Sequence, residues 1–200
     1  MGNVILPTKE CDMRNLTELA MAMAAGLFLL AAPIEAKANK DFYTENEILN
    51  AARGFFGETS GGLAAAVERV FSELGRPSAY ILGEEVGGAF FVGLRYGNGE
   101  LNIKNGAKRK VYWQGPSVGI DFGGNAAKSM TLVYGIKNPD DIYKRYPGVS
   151  GSFYFVACAG VNYQQSGDVI LAPMRTGVGL RVGANAGYLH YERKHSWIPF

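Results

Sequence analysis

Two hydrophobic periods divide the chain. Between residues 44 and 75 apolar positions recur every three or four residues, the spacing of a helix face. Ile48, Leu49, Ala52, Phe55 and Phe56 fall on one stripe, and Leu63, Val67, Val70, Phe71 and Leu74 on a second. Thr44 with Glu47 three positions on is a capping box and marks the first start. Thr59 or Ser60 marks the second, and Gly75 followed by Pro77 supplies the stop. Both predicted helices are amphipathic, so each covers an apolar surface.

From Ser78 onward the period changes to two. Predicted strands are Ser78–Glu85, Ala89–Tyr96, Glu100–Lys104, Arg109–Gln114, Ser117–Phe122, Ser129–Tyr134, Ser152–Asn162, Asp168–Met174 and Val178–Tyr191. Turn chemistry lies between them at Gly97-Asn98-Gly99, Asn105-Gly106, Gly115-Pro116, Gly123-Gly124-Asn125 and Ser166-Gly167. Asn138-Pro139-Asp140-Asp141 interrupts as a helix start, predicting a short helix near Ile142–Tyr146. Strands joined mainly by tight turns form an antiparallel meander, which closes into a barrel or folds into a sandwich. The expected class is mainly β: a closed or nearly closed antiparallel β-barrel of about eight strands, preceded by two amphipathic helices, with one short helix inserted.

The front of the chain has another character. Leu19 to Ala32 is an uncharged run of Leu, Ala, Met, Gly and Phe, too short for a bilayer span of about 20 residues. It has the length of a secretory signal's apolar core, and Ala36-Lys37-Ala38 is an A-x-A cleavage site. The expected organisation is therefore a signal peptide at 1–38, a helical segment at 39–77 and a barrel at 78–200, with export out of the cytoplasm. Cys11 leaves with the signal, and Cys158, alone within Phe155-Val156-Ala157-Cys158-Ala159, is expected to be a small buried hydrophobe.

Composition narrows the function classes. Lys and Arg number 20 against 18 Asp and Glu, a net charge of +2, far from the strongly basic balance of a nucleic-acid binder. Cleavage after Ala38 removes three bases (Lys9, Arg14, Lys37) and four acids (Glu10, Asp12, Glu18, Glu35), which shifts the balance only to +3. Glycine is more telling, at 27 of 200 residues, about twice ordinary usage. In Val178–Tyr191 and in Ser117–Gly123 the glycines alternate with apolar residues. Glycine inside a strand marks a bend, a bulge or a close approach, and small barrels need such points to turn their corners.

Catalytic signals are thin. His190 and His195 are the only histidines, five positions apart and without clustered carboxylates, which does not make a zinc site. No Gly-x-Ser-x-Gly elbow occurs. Gly97-Asn98-Gly99 ends a strand instead of opening a helix, so it is not a phosphate loop. Neither catalytic residues nor a cofactor nor a metal is expected, and the reading is non-enzymatic. Glu84-Glu85 is expected to be solvated at a strand end. Arg95, Asp121 and Arg181 stand out as charged positions in apolar surroundings, and Asp121 is a candidate partner for Arg95 or Arg181. Tyr112 and Trp113 are candidate packing or binding aromatics, next to the basic run Lys108-Arg109-Lys110, which is suited to anionic headgroups.

Several blocks together resemble a known family. They are Gly83-Glu84-Glu85, Gly93-Leu94-Arg95-Tyr96-Gly97, and Val111-Tyr112-Trp113-Gln114-Gly115-Pro116-Ser117-Val118-Gly119-Ile120-Asp121-Phe122-Gly123-Gly124. Leu132-Val133-Tyr134, Ile142-Tyr143, Pro147-Gly148-Val149, Gly177 to Gly183 and Gly187-Tyr188-Leu189 continue the pattern. Across about 78–190 the chain resembles the EipA-type family of bacterial periplasmic proteins. The resemblance implies a soluble periplasmic β-barrel needed for envelope integrity, with no catalytic residues to carry over. A looser likeness, in glycines and spacing, is to the SYLF lipid-binding domains. It makes phospholipid or lipopolysaccharide the candidate partner of an alternative, lipid- or glycolipid-binding reading. An integral outer-membrane barrel is a third reading. Its strands would need about 9–11 residues with an apolar outer face, which the charged segments Glu100–Lys104 and Arg109–Gln114 do not offer.

Overall fold

The computed structural model describes residues 40–57, 61–121, 127–156, 159–176 and 187–196, with the backbone alone at 61, 88–93, 117–121, 150–156, 159 and 176. The signal at 1–38, Cys158, Arg181, the Gly123-Gly124-Asn125 turn and most of the last predicted strand lie outside the described residues. Residues 39–200 belong to one compact unit.

Two helices open it, α1 (Glu45–Phe56) and α2 (Gly61–Leu74). The α1 start follows the capping-box chemistry: the Glu47 N–H donates to Thr44 Oγ1 at 3.3 Å, and the Thr44 N–H donates to Glu47 Oε2 at 2.8 Å. Seven strands follow: β1 (Ala79–Ile103), β2 (Lys108–Asp121), β3 (Ala127–Tyr134), β4 (Arg145–Val156), β5 (Ala159–Ser166), β6 (Val169–Thr176) and β7 (Tyr188–Glu192). They close in the order β1-β2-β7-β4-β5-β6-β3, every pair antiparallel. β1 doubles back on itself. At its base the Lys104 N–H donates to the Ser78 carbonyl at 3.1 Å, and higher up Gly83 packs against Gly99. With its two arms counted separately, the barrel has eight strands.

Several expected boundaries are corrected. Gly97-Asn98-Gly99 and Gly115-Pro116 are not turns. Both lie within continuous strands, where Gly97 pairs with Trp113 and Arg95 with Gly115. The predicted strand Ser152–Asn162 is instead the end of β4 and the start of β5, paired as a hairpin. The short helix is a 3-10 turn at Pro139–Ile142, and Tyr146 already belongs to β4. Asn105-Gly106 and Ser166-Gly167 do turn, with Gly106 at φ 92° and Gly167 at φ 60°, a region open to glycine.

Two apolar layers hold the fold. Outside the wall, Ile48 and Ala52 of α1 and Leu63, Ala66, Val67 and Val70 of α2 pack on Met130, Leu132 and Tyr134 of β3, Val161 of β5, and Ala172 and Met174 of β6. Each fully buried aliphatic side chain contributes about 1.5–3 kcal/mol. Polar latches join the same surfaces. Lys104 pairs with Glu47, the Tyr163 hydroxyl bonds to Glu73, and Lys128 Nζ donates to the Phe55 carbonyl at 2.6 Å. This part of the wall is covered by protein and cannot face lipid. None of the described helices is long and apolar enough to cross a membrane.

Inside the barrel, Ala79, Ile81, Leu101, Ile103, Val111, Val133, Leu171 and Leu189 fill one end. The β3–β4 connection closes that end by inserting Ile136 and Ile142, which are 6% and 0% exposed. Its 3-10 turn is pinned where the Tyr146 hydroxyl donates to the Asp141 carbonyl at 3.0 Å. This end is therefore packed with side chains.

Candidate functional site

Above the apolar plug the interior turns polar. Glu85, on the first arm of β1, faces the same way as Ile81 and is 2% exposed. A carboxylate this deep survives only if cations and donors surround it. Its Oε1 lies 3.5 Å from Arg95 Nη1, on the second arm of β1, and 3.0 Å from Arg175 Nε of β6. Its Oε2 accepts the indole N–H of Trp113, from β2, at 2.8 Å. Three strands thus converge on one carboxylate. Beneath it, the Tyr191 ring lies 5.8 Å from Trp113 and 5.6 Å from Tyr146, while its hydroxyl hydrogen-bonds with Thr131.

The glycines make this arrangement possible. A Cβ on Gly97 would sit 2.1 Å from the Trp113 ring, and one on Gly83 would sit 2.7 Å from its Cη2. The indole occupies the space that two missing side chains leave. The stem of Arg95 crosses Gly87 in the same manner, 3.0 Å from where a Cβ would be. Inward glycines on β1 are thus close-approach points for large side chains as well as corners of the barrel.

Electrostatically the cluster is unbalanced, with two guanidinium groups to one carboxylate among the described residues. Burial, and then the neighbouring charge of Arg175, pull the Arg95 guanidinium down to about 10, against the opposing pull of Glu85. It stays cationic at neutral pH. Burial drives the phenols of Tyr146 and Tyr191 well above the ordinary tyrosine range.

The sequence-derived candidates distribute unevenly. Arg95 and Trp113 enter the cluster. Trp113 is 4% exposed, so it offers no aromatic surface to a membrane or a sugar outside the barrel. Tyr112 points the other way and packs on His195, 6.0 Å between ring centroids. Asp121 ends β2 opposite Ala89, its side chain outside the described residues. The described partner of Arg95 is Glu85, the residue expected to be solvated. The reason is the pleat: Glu84 is exposed and Glu85, one position on, faces inward. Arg175 gave no signal of its own, since Met174-Arg175-Thr176 reads as a strand end. Only the alternation Val169, Leu171, Pro173, Arg175 would have placed it inside.

Neither histidine joins the cluster. His190 Nδ1 lies 3.3 Å from Glu192 Oε1 on the opposite face of β7 from Tyr191, and His195 stacks on Tyr96. Among the described residues no three of His, Cys, Asp and Glu gather where they could hold a metal ion.

The geometry defines a class: a closed antiparallel barrel with a helical plate on one wall and a charged network inside. Comparison with known families then places it. The envelope integrity protein A family matches residues 41–200, and the chain belongs to that family. A crystal structure of a β-barrel-like, uncharacterized protein from Brucella abortus is 46% identical and superposes with a TM-score of 0.72, covering 80% of this chain and 99% of that one. Comparison with curated proteins gives no match.

Proposed function

We propose that this protein is a periplasmic, non-enzymatic barrel that supports the integrity of the cell envelope. The observation that carries the reading is the family match across residues 41–200. The apolar run Leu19–Ala32 followed by Ala36-Lys37-Ala38 supports export and cleavage. Two features support the non-enzymatic role. The acid at the barrel centre is engaged by two arginines and an indole, and both histidines sit away from it. Deleting the gene in its host tests the role: the strain should become sensitive to detergent and bile salts, and a copy lacking residues 1–38 should not restore it. Osmotic shock should release the native protein with the soluble periplasmic fraction. Full retention in the outer membrane would instead favour an embedded barrel.

A second reading, contact with phospholipid or lipopolysaccharide, is favoured by the exposed cations of one barrel end. Lys108, Arg109 and Lys110 of β2, Lys144 and Arg145 at β4, and Arg193 and Lys194 after β7 are all exposed and lie on neighbouring strands. Co-sedimentation with phosphatidylglycerol vesicles but not phosphatidylcholine vesicles, lost at high salt, would support it.

A further inference from the structure

We propose that the barrel interior binds an oxyanion, a phosphate or carboxylate group, between Arg95 and Arg175. The inference goes beyond the envelope role and does not depend on it.

The first observation is an excess of donors. Arg95 Nε, Arg175 Nε and Arg175 Nη2 are buried and have no hydrogen-bond partner among the described residues. Arg175 Nε lies 3.0 Å from Glu85 Oε1 as an ion pair, but outside hydrogen-bond geometry. A buried donor left without an acceptor is destabilising, and more so when it is charged. Three such donors on two neighbouring guanidinium groups point to an acceptor that joins them.

The second observation is charge. Among the described residues, Glu85 is the one carboxylate that both arginines share, and it balances one of them. Water would satisfy the N–H groups but would leave the second positive charge, whereas an oxyanion does both. Guanidinium is suited to the task because its planar fork of donors matches carboxylate and phosphate oxygens. The third observation is access. Arg95 is enclosed, with a side chain 7% exposed, while Arg175 keeps 22% of its side chain in solvent. The anion enters along Arg175 and seats against Arg95.

The same chemistry is offered by a free anion and by a lipid headgroup, so the test carries separate arms. Full-length mature protein is titrated with inorganic phosphate, with acetate and with phosphatidylglycerol vesicles, each against sodium chloride of equal ionic strength. Thermal unfolding is one readout. The second is Trp113 fluorescence in a Trp197→Phe background, because Trp113 bonds the carboxylate that the anion approaches. At about 100 times Kd the unfolding midpoint should rise by about 5–10 °C. Arg175→Gln should abolish the rise. Arg175→Lys, which keeps the charge, serves if the glutamine variant does not fold, and should weaken binding. Glu85→Gln removes the competing carboxylate and should tighten binding about tenfold or more. A response to vesicles alone that requires Arg175 identifies a headgroup as the source. If no arm exceeds the salt control, the proposal is overturned. The same holds if binding persists unchanged in both Arg175→Gln and Arg95→Gln, which would place it on the exposed basic rim.

Discussion

The indole N–H of Trp113 and the carboxylate of Glu85 meet at 2.8 Å across 28 positions of sequence, inside the barrel. The contact joins the strand that carries the acid to the strand that carries the ring. Trp113→Phe keeps an aromatic ring and deletes the donor. A hydrogen bond to a charged group is worth about 1.5–3 kcal/mol, and urea unfolding should show a loss of that size with unchanged slope. Glu85→Gln should cost more, about 3–5 kcal/mol, since it leaves two buried guanidinium groups without their counter-ion. Equal stability of either variant and the parent would remove the network from any account of the fold.

Gly97→Ala tests the close approach. Three atoms of the Trp113 ring lie within 2.4 Å of the position a Cβ would take, so ring or strand must move. Overpacking of this kind costs about 1–3 kcal/mol. Combined with Trp113→Val, which vacates the space, the alanine should become nearly silent. The double-mutant cycle should report a coupling of about 1 kcal/mol or more. Additive losses would mean that the glycine serves the backbone instead.

Stability at low pH should depend on Glu47. The Lys104 ammonium, followed by the Thr44 backbone N–H, holds its carboxyl at about 2, against an ordinary value of 4.5. A carboxyl held low stabilises the fold fully above its unfolded value, and the gain fades as pH falls through the folded one. The side chain is 45% exposed, so solvent screens the pair. Glu47→Gln should therefore cost only about 0.5–1 kcal/mol at pH 7. Denaturation curves of variant and parent should converge as pH approaches about 2. A difference that survives there would belong to something other than the charge.

Alkaline titration should single out Tyr146 and Tyr191. Burial raises both above the ordinary value of 10.0. A raised folded pKa means their stabilising contribution is intact below pH 10 and is lost as pH climbs above it. Near-ultraviolet absorbance should show a late group of phenols ionising together with the loss of circular dichroism. Tyr146→Phe should remove part of that late step. Smooth ionisation of all tyrosines before unfolding would contradict their burial.

Helices and barrel were legible because their signals are redundant. Thr44 and Glu47 cap α1, Gly75 and Pro77 stop α2, and Ile48 with Ala52 or Leu63 with Val67 repeat at helical spacing. Strand limits were less legible because glycine carries two meanings. At Gly106 it permits a turn, whereas at Gly97 it makes room for an indole from the next strand. Local sequence cannot separate the two until the register of β1 against β2 is known. Glu85 was misplaced for a related reason. Beside Glu84 it reads as solvated charge, and only the inward face it shares with Ile81 and Arg95 marks it as interior. Its second cation, Arg175, is 90 positions away, and sheet closure alone brings the two together.

The helical plate has a consequence for the order of assembly. Val70, the last buried residue of α2, precedes Met130, the first fully buried wall residue beneath the helices, by 60 positions. Tyr80 and Leu82 of β1 cover part of the layer, but an emerging chain carries two largely uncovered apolar stripes until β3, β5 and β6 are available. The ring itself seals only when Tyr188–Glu192 slots between β2 and β4. Contacts this distant in sequence form slowly, in milliseconds to seconds. Throughout that interval the unsealed edges of β2 and β4 are templates for a neighbouring chain. β7, five residues long, is the clasp of the whole structure. A chain cut short before it would keep its plate and most of its wall, and would aggregate through the gap.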